Sequence, residues 1–439
     1  MTFIKKPVTG MRDILPGEME VRSALMNIIR DTYRLYGFTE IETPIVEHIE
    51  NLTSKQGGDN EKLIFKVLKR GEKLIKAVED LKASGTVSVE DGEEITGAGC
   101  LTEEGLRYDL TLPLSRYYSA NAATLPQPFK ALQMGNVFRA DRPQKGRFRQ
   151  FMQCDIDILG DGTNLAEKEL ILATTEALDK MGFGKYNYYI VINDRRILME
   201  LVKYAGMPEE DADKILVILD KSDKIGAEGV DAELLSCGYS EESVRKLRLL
   251  MTGFGTDAEG TRQFTEKIGT DAAREAGENV ADIMETVTGV PGRKIKVCFD
   301  PTLVRGMGYY TGTIFEIKLA AFSSSVGGGG RYDRMVGKFT GKDVPAVGFS
   351  IGFERIMTLL MDDGTEGLIK GSKKTAWLIE KGVDEGKLTG IFAEAVKERA
   401  AGNQILMVWM AKNKKFQKDN LALNGYTEFK EFYKEDFRR

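Results

Sequence analysis

Apolar residues recur at helical spacing from Pro16 to about Tyr36, which predicts an amphipathic helix. Gly37 follows directly, at the position where helices commonly end in a left-handed residue. The next segment, Phe38–Glu47, mixes apolar residues with glutamates and a proline. It predicts a strand that Pro44 interrupts.

The stretch from residue 54 to residue 105 is polar and rich in glycine, lysine and glutamate. Its pattern predicts one helix around Leu63–Leu81, inside a mobile insertion or lid. The segment that starts at Leu106 is predicted to begin as a strand and to turn helical after Pro113.

The centre of the chain alternates between strand and helix patterns. Two strands joined by a charged loop are predicted within residues 129–160, and a helix from Leu165 to Met181 leads to a strand at Tyr186–Asp194. Residues 195–295 have helical periodicity without strand signals and predict a helical insertion. Strand patterns return at 294–300, 312–319 and 346–351, and the last of them leads into a helix.

Glycine, lysine and serine between Gly367 and Lys374 indicate a linker before the C-terminal segment. Two strands, a helix at Lys387–Ala401 and a basic helix then predict a small α/β module. The predicted domains are a core in two parts, 1–195 and 296–366, a helical insertion at 196–295, and the module at 374–439. The polar insertion near 54–105 belongs to the first part of the core.

The composition is that of a globular protein, with 439 residues, of which 42% are apolar and 29% are charged. The single histidine, His48, excludes metal sites built on two histidines and leaves one candidate for a serine triad. If the protein is an enzyme, acidic groups, Arg, Lys, Tyr or backbone groups perform its chemistry. The net charge of −5 argues against indiscriminate nucleic-acid binding but allows a local basic patch.

Four cysteines, Cys100, Cys154, Cys237 and Cys298, lie far apart and form no C-x-x-C motif. They predict buried free thiols in a reducing compartment. The first residues lack the apolar region of a signal peptide, and no apolar run reaches the length of a membrane span. We therefore expect a cytoplasmic protein without a membrane partner.

The segment Phe138–Phe151 carries four arginines and a lysine in eleven residues, against the single acid Asp141. Strand patterns flank it, so the arginines fan across a predicted hairpin and suit capture of phosphate or carboxylate. A solvated hairpin tip is the alternative.

Three further segments combine glycine with arginine or tyrosine. In Leu303–Glu316, Arg305 precedes two glycines and the tandem Tyr309-Tyr310, which indicates close approach of a ligand or, alternatively, a core strand. Ser323–Asp333 carries four consecutive glycines, which suit contact with a flat ring or form a flexible loop. In Ala346–Ile356, Arg355 lies at the start of a predicted helix, where the dipole disfavours a cation, so an anionic partner is expected.

Together these four segments predict a site of fixed cations, glycine surfaces and tyrosines, without histidine or cysteine chemistry. Such a site suits phosphoryl or adenylyl transfer, in which the protein positions groups and stabilises developing charge. A metal ion would assist.

The four segments, in this order, resemble motif 2, the two histidine-specific motifs and motif 3 of the histidyl-tRNA synthetases, a class II family. Gly10–Pro16 resembles the N-terminal signature of that family, and Gly37–Glu47 resembles its motif 1. The resemblance covers most of residues 5–360. It implies an α+β fold: a class II antiparallel sheet flanked by helices, a helical insertion, and a C-terminal α/β anticodon-binding domain.

The resemblance also implies residue roles. Arg139 and Arg355 would hold the α- and γ-phosphates of ATP, with Arg147 and Asp141 beside the phosphates, and Arg305 would stabilise the α-phosphate during attack. The family's catalytic set corresponds here to Arg139, Arg305 and Arg355.

For histidine, the resemblance implies that Asp109, Thr111 and Gln153 hold the α-amino group and that Asp157 and Tyr310 read the imidazole. The histidine-binding set is Asp109, Thr111, Gln153, Asp157, Arg305, Tyr309 and Tyr310. The implied reaction forms histidyl-adenylate from histidine and ATP, with Mg²⁺ bridging the phosphates, and then transfers histidine to tRNA(His). No side chain is assigned as a metal ligand, and the implied assembly is a homodimer through motif 1.

The sequence departs from the family pattern in several places. Asp141 replaces the usual glutamate, Gly308 stands where an aspartate usually precedes the tyrosines, and residues 69–105 look longer than usual. The segment after Lys374 looks short for the family's anticodon domain, which affects the expectation of tRNA contact more than that of adenylation.

Two other functions remain open from the sequence. One is a non-catalytic paralogue, the histidine-sensing regulatory subunit of ATP phosphoribosyltransferase. The retained arginines argue against it, since regulatory members usually lose part of that set. The other is an adenylate-forming ligase for another amino acid or small amine, against which the tyrosine and glycine motifs argue.

Overall fold

The protein is described by a computed structural model. The described residues are 3–53, 60–84, 88–90, 94–96, 98–143, 147–251, 253–304, 309–320, 322–364 and 374–435.

Strands are found along the whole described chain. They are β1 Thr39–Glu40, β2 Val46–His48, β3 Lys66–Leu68, β4 Ser88–Glu90, β5 Glu94–Thr96, β6 Thr102–Leu106, β7 Phe129–Phe138, β8 Gln150–Leu159, β9 Tyr188–Asp194, β10 Val297–Phe299, β11 Thr313–Leu319, β12 Phe322–Arg331, β13 Ala346–Ile351, β14 Lys374–Ile379, β15 Gln404–Trp409 and β16 Glu428–Phe432.

Helices separate and flank these strands. The α-helices are α1 Pro16–Leu35, α2 Ile49–Leu52, α3 Gly71–Ser84, α4 Thr111–Asn121, α5 Leu165–Lys180, α6 Arg195–Tyr204, α7 Ala212–Leu219, α8 Ser222–Ser236, α9 Glu241–Leu250, α10 Ala258–Ile268, α11 Asp271–Thr288, α12 Arg334–Thr340, α13 Phe353–Asp363, α14 Glu385–Ala400 and α15 Lys414–Ala422. Short 3₁₀ helices lie at Asn60–Leu63, Ala98–Leu101, Phe183–Tyr186 and Glu209–Asp211.

The largest sheet has eight strands in the order β1-β7-β8-β13-β12-β11-β9-β10. Neighbouring strands from β7 to β9 are antiparallel, as expected for a class II sheet. The two outermost pairs, β1 with β7 and β10 with β9, are parallel. The observed architecture is therefore α+β with a mixed sheet whose centre is antiparallel.

Helix α5 lies behind this sheet and buries an apolar face that includes Leu170, Ile171 and Leu178. A buried ion pair joins it to the glycine strand β12, since Arg331 Nε and Nη2 donate to Glu167 at 2.7 and 2.6 Å. Both side chains are at most one-tenth exposed, so this bidentate pair holds β12 against α5.

Two compact units divide the chain. The first contains residues 1–12 and 26–362 and holds the eight-stranded sheet. The second contains residues 13–25 and 363–439, with the parallel sheet β15-β14-β16. Its core is built on Trp377, Ile379, Ile391 and Ala395.

Most predicted elements are present, with shifted ends in places. Helix α1 spans Pro16–Leu35, and Gly37 has a φ of +82°, as its position predicted. The helix expected at Leu63–Leu81 is wrong in its first part, because β3 precedes Gly71, where α3 begins. Helix α4 already begins at Thr111, because proline is tolerated in a first helical turn, where no backbone donor is needed.

Two further expectations can be compared with the structure. Only Cys154 among the four cysteines is buried, and Cys100 is exposed, so the prediction of buried thiols holds for one of them. His48 is exposed, as expected for a residue outside the motifs. In the part of the chain that the structure describes, no helix is both long and apolar enough to cross a membrane.

Candidate active site

One face of the eight-stranded sheet carries the candidate site. Side chains alternate between the faces of a strand, so Gln153, Asp155 and Asp157 of β8 project together. On β13, Ser350 lies opposite Asp155 and Gly348 lies opposite Asp157. The residues beside these carboxylates are therefore small, and the next strand, β12, continues the surface with its glycine run.

The glycine run belongs to a strand, and the loop alternative is wrong. A Cβ on Gly330 would lie 2.8 Å from Tyr310 Cδ1, and one on Gly348 would lie 1.8 Å from Asp157 Oδ1. These glycines keep open the space that the tyrosine and the carboxylate occupy.

A first cavity of about 310 Å³ opens on this face. Its charged lining residues come from the hairpin β7–β8, from β11 and from the start of α13. They are Arg139, Asp141, Arg147, Glu316, Glu354 and Arg355.

Arg139 extends from the end of β7 between two aromatic rings. Its guanidinium carbon lies 4.2 Å from the Tyr108 ring centre and 5.1 Å from that of Phe151. Its Nε donates to the Tyr108 carbonyl at 3.1 Å. Stacking and the hydrogen bond orient the guanidinium, which suits it to bind an anion in a fixed direction.

Arg355 and Glu354 enter the same cavity from the first turn of α13. Arg355 Nη1 donates to the Ser325 carbonyl, which is a neutral acceptor. This hydrogen bond therefore does not supply the anionic partner that the sequence predicted for Arg355. Glu354 Oε1 accepts from the Met152 amide at 3.2 Å, and its Oε2 lies 3.4 Å from Arg12 Nη2.

A second, smaller cavity of about 130 Å³ adjoins the first, and Arg139, Gln153, Gly328 and Ser350 line both. Its acidic lining residues are Asp109, Asp155 and Asp157, and its aromatic ones are Tyr309, Tyr310, Tyr332 and Phe349. Thr111 and the glycines of β12 complete the wall. The first cavity, lined by three arginines and three carboxylates, thus leads directly into an acidic second one.

Several oxygens of the second cavity are buried without a hydrogen-bond partner. They are Asp109 Oδ2, Gln153 Oε1, Asp155 Oδ1 and Asp157 Oδ2. Leaving such acceptors unpaired costs free energy, so their concentration in one cavity indicates a ligand with several N–H donors or positive charge.

Burial changes the acidity of these carboxyls. It raises the pKa of Asp109, and it raises that of Asp155 further above its ordinary value with help from the Asp157 charge. It raises the pKa of Asp157 to about 7, although a hydrogen bond from Tyr332 opposes the rise. That bond is short, with 2.6 Å between Tyr332 Oη and Asp157 Oδ1.

The tandem tyrosines form part of the wall beside Tyr332. The Tyr309 and Tyr310 ring centres are 4.8 Å apart, and Tyr309 meets Tyr332 edge-on at 6.1 Å. Tyr310 is buried. Flat rings with polar tips can enclose a planar heterocycle and still offer it a hydrogen bond.

The structure brings together every sequence-predicted site residue that it describes. Arg139, Arg147, Asp141 and Arg355 line the first cavity, and Asp109, Thr111, Asp157, Tyr309 and Tyr310 line the second, with Gln153 in both. Arg305 lies outside the described residues.

Sequence reasoning missed Asp155, Tyr332, Ser350, Glu316 and Glu354 as lining residues. The alternation of β8 was a usable signal for Asp155, because it stands two residues from both Gln153 and Asp157. Ser350 required the pairing of β8 with β13, which no local pattern reveals.

The carboxylate oxygens that line the first cavity are suitable ligands for a magnesium ion. No group of three or more His, Cys, Asp or Glu side chains able to hold a metal occurs within the described ranges. Magnesium is commonly held by one or two carboxylates together with phosphate oxygens and water. Asp141, Glu316 and Glu354 supply carboxylates beside the arginines.

Comparison with protein families gives one match over most of the chain. A family model described as histidyl-tRNA synthetase matches residues 10–77 and 102–356. The histidine–tRNA ligase of Leifsonia xyli subsp. xyli is 42% identical over 429 residues, covering 96% of this chain and 94% of that protein. That of Phocaeicola vulgatus is 35% identical over 442 residues, covering 95% and 94%.

Solved structures show the same fold. Histidyl-tRNA synthetase from Nostoc sp. PCC 7120 is 24% identical with a TM-score of 0.76 and covers 97% of this chain and 90% of its own. A protein from Bacillus halodurans described as an ATP phosphoribosyltransferase regulatory subunit/histidyl-tRNA synthetase is 21% identical, with a TM-score of 0.77 and coverages of 99% and 100%.

Proposed function

The chain belongs to the histidyl-tRNA synthetase family, and on that premise we propose that it is a histidine–tRNA ligase. It activates histidine with ATP to give histidyl-adenylate and then transfers histidine to the 3′ end of tRNA(His). The observation that carries this proposal is the pair of joined cavities, one lined by arginines and the other by buried carboxylates.

The first cavity is the ATP site. Arg139, Arg147 and Arg355 bind the phosphates, because guanidinium groups match phosphate oxygens in charge and in hydrogen-bond geometry. The orientation of Arg139 by Tyr108 and Phe151 places its charge before the substrate arrives, which favours electrostatic stabilisation during the reaction. The family resemblance assigns Arg305 to the α-phosphate.

The second cavity is the histidine site. Asp109, Thr111 and Gln153 hold the α-ammonium group, and Asp109 Oδ2 and Gln153 Oε1 are the acceptors left unpaired for it. Asp157 and Tyr310 bind the ring. An analogue that lacks a ring nitrogen leaves a buried carboxylate without a partner, so the site discriminates strongly against it.

Adenylation proceeds by attack of a histidine carboxylate oxygen on the α-phosphorus. A new O–P bond forms, and the bond to pyrophosphate breaks. The attacking carboxylate is already ionised, so no general base is required. Arg139 lines both cavities and lies where the two substrates meet, so it acts on the charge of the reacting phosphate.

Asp141, Glu316 and Glu354 are the carboxylates lining this cavity that would hold magnesium together with the phosphates of ATP. When bound, the ion neutralises phosphate charge. Three arginines and three carboxylates line this cavity, so the protein's own charged groups orient the phosphate chain.

Further parts of the proposal rest on the family resemblance. The segments 1–195 and 296–366 form the catalytic domain, 196–295 is its helical insertion, and 374–439 binds the anticodon region of tRNA. The enzyme acts in the cytoplasm as a homodimer through the motif 1 segment.

The regulatory-subunit function has less support. The relatives that match almost the whole chain are named as histidine–tRNA ligases, at up to 42% identity. The arginines of the first cavity would have no purpose in a protein that only senses histidine. A ligase for another amine is disfavoured by the three carboxylates, which exceed what one ammonium group requires.

The test is exchange of labelled pyrophosphate into ATP with histidine, followed by charging of tRNA(His), with the other amino acids as controls. We expect exchange with histidine and with no other amino acid, and we expect tRNA(His) to be charged. Exchange without charging would remove the tRNA part of the proposal. Histidine binding without exchange would favour the regulatory function, and pull-down of an ATP phosphoribosyltransferase would then test that function.

A further inference from the structure

Asp155 has no role in the assignments above, although it lies at the centre of the histidine cavity. It stands between Gln153 and Asp157 on the same face of β8 and is 4% exposed. The Ser350 hydroxyl hydrogen-bonds its carboxyl, while Oδ1 lies in the cavity without a partner. Its position is therefore that of a ligand-binding group with one acceptor unused.

The charged groups around Asp155 are mainly acidic. Asp157 lies on the same strand, Asp109 lies across the cavity, and both charges act on the Asp155 carboxyl. Arg139 is the opposing cation on the side of the ATP site, and its Nε is engaged by the Tyr108 carbonyl.

The remaining neighbours compensate this acidity only in part, through the buried Arg107, whose charge acts on the Asp155 carboxyl. On the β7 side, Gln133 pairs with Asp155 in register, and the buried Arg107 donates to the Thr43 and Asn136 carbonyls. Tyr332 donates to Asp157, and the buried Tyr33 of α1 has its hydroxyl bonded to Thr174. Because Arg139 is directed to the phosphates of ATP, the three carboxyls of the cavity still outnumber the one remaining cation, Arg107.

The charge of bound histidine depends on whether its ring is neutral or protonated. This charge decides whether the negative charge of the cavity is balanced. The α-ammonium group of histidine supplies one positive charge, which Asp109 can neutralise. The histidine carboxylate is directed to the ATP site, where it reacts. With Arg107 and the ammonium group counted, a neutral ring would leave one of the two neighbouring carboxylates, Asp155 or Asp157, uncompensated in a volume of about 130 Å³.

We propose that Asp155 is a specificity-determining residue that, together with Asp157, holds the ring of bound histidine in its doubly protonated, cationic form. This inference rests on the proposed function, because it concerns the same substrate. Burial, together with the Asp157 charge, raises the pKa of Asp155 and so favours the protonated carboxyl in the empty cavity. When histidine binds, the ring nitrogen takes over that proton, and the carboxyl becomes the partner of the cation.

The direct test is nitrogen NMR of ¹⁵N-ring-labelled histidine bound to the full chain at pH 8. The free ring has a pKa of about 6.5 and is neutral at this pH. We expect the two ring nitrogens of the complex to give the similar shifts of an imidazolium. Two separate resonances, as in a neutral ring, would overturn the inference without any variant.

A kinetic test uses Asp155→Asn, which keeps an acceptor for Ser350 and removes the charge. Triazolylalanine, a histidine analogue whose ring stays neutral near pH 7, serves as the competitor. We expect the wild-type chain to favour histidine over it by about a hundredfold in kcat/KM for exchange, and the variant to lose about tenfold of that preference. Asp271→Asn, which removes an exposed carboxylate at the start of α11 outside both cavities, should leave the preference unchanged.

The outcomes separate this inference from the proposed function. Exchange with histidine, but with a neutral bound ring or an unchanged preference in Asp155→Asn, would overturn only the role of Asp155. Failure of the wild-type chain to bind histidine would overturn both. If Asp155→Asn does not fold, the wild-type NMR measurement decides alone.

Discussion

At the scale of single residues, the guanidinium of Arg139 is oriented by stacking between Tyr108 and Phe151. Lysine at this position would keep the charge but lose the planar fork and the stacking. We expect Arg139→Lys to lower the rate of histidine-dependent pyrophosphate exchange by roughly a hundredfold or more, as for removal of one preorganised donor. Steady-state exchange assays would measure this.

Arg142 provides the matched control, because it lies in the same hairpin, is exposed and is not among the residues that line the two cavities. Arg142→Lys should leave exchange at the wild-type rate. Equal loss in both variants would indicate that the hairpin as a whole, and not the position of Arg139, determines the rate.

Burial raises the pKa of Asp157 to about 7, and Tyr332 donates a hydrogen bond to its carboxylate, so the proposed histidine binding should depend on pH near neutrality. The bond stabilises the carboxylate, so Tyr332→Phe raises this pKa further and leaves less Asp157 ionised at pH 7. We expect the acid limb of kcat/KM for histidine to move up by about one pH unit, with recovery at higher pH. Exchange assays between pH 6 and 9 would show the shift.

Tyr186→Phe removes a hydroxyl that donates to the Leu359 carbonyl at 3.2 Å, away from both cavities. Its acid limb should match that of the wild-type chain. An unchanged limb in Tyr332→Phe would mean that Asp157 does not control histidine binding in this pH range.

At the scale of elements, glycines in the paired strands β12 and β13 meet two different requirements. One glycine leaves room for a side chain of the site, and another leaves room for the neighbouring backbone. A Cβ on Gly348 would meet the side-chain atom Asp157 Oδ1 at 1.8 Å, whereas one on Gly329 would meet the backbone oxygen of Gly348 at 1.9 Å. A side chain can move aside, but a paired strand cannot. We expect Gly348→Ala to raise KM for histidine by about tenfold, with a smaller loss of stability than Gly329→Ala, because Asp157 must leave its hydrogen bond with Tyr332.

Gly329→Ala should instead lower the free energy of unfolding by roughly 1–3 kcal/mol, because it overpacks the sheet. Urea unfolding would measure this difference, with Gly390→Ala as the control. Gly390 lies in α14 with no atom within 4 Å of a built Cβ, so alanine there should cost no stability. A stability loss in Gly348→Ala equal to that in Gly329→Ala would contradict the distinction.

Local elements were largely predictable because their signals are local. The periodicity of residues 16–36 and the following Gly37 were sufficient to predict α1 and its end. The helix around Leu63–Leu81 was misplaced, since Lys66–Leu68 forms a strand by pairing with β6, a partner distant in sequence. The same limit explains why Ser350 was missed.

At the scale of the whole molecule, the order of the strands is set by pairings between distant segments. β8 pairs with β13, almost two hundred positions later, and this contact places Gly348 and Ser350 beside the buried aspartates. Composition and periodicity contain no information on such pairing. The family resemblance supplied the expected sheet, and the two parallel outer pairs became known only from the structure.

The second compact unit carries the proposed tRNA contact. Lys412 and Lys415 are exposed beside the exposed rings of Trp409 and Phe416. Basic and aromatic side chains together suit a single-stranded loop of RNA, whose bases stack on rings while lysines bind phosphates. The double variant Lys412→Glu/Lys415→Glu should therefore lower kcat/KM for tRNA(His) in charging by about tenfold or more at low salt.

Exchange of pyrophosphate should be unchanged in this variant, because the two cavities belong to the other unit. Lys381→Glu/Lys397→Glu is the matched control, with the same change in net charge. Lys397 lies in α14, and right-handed crossovers put α14 and α15 on opposite faces of the sheet β15-β14-β16. The control should charge tRNA normally. Equal loss in both variants would mean that the net charge of the unit, and not the position of Lys412 and Lys415, governs tRNA binding.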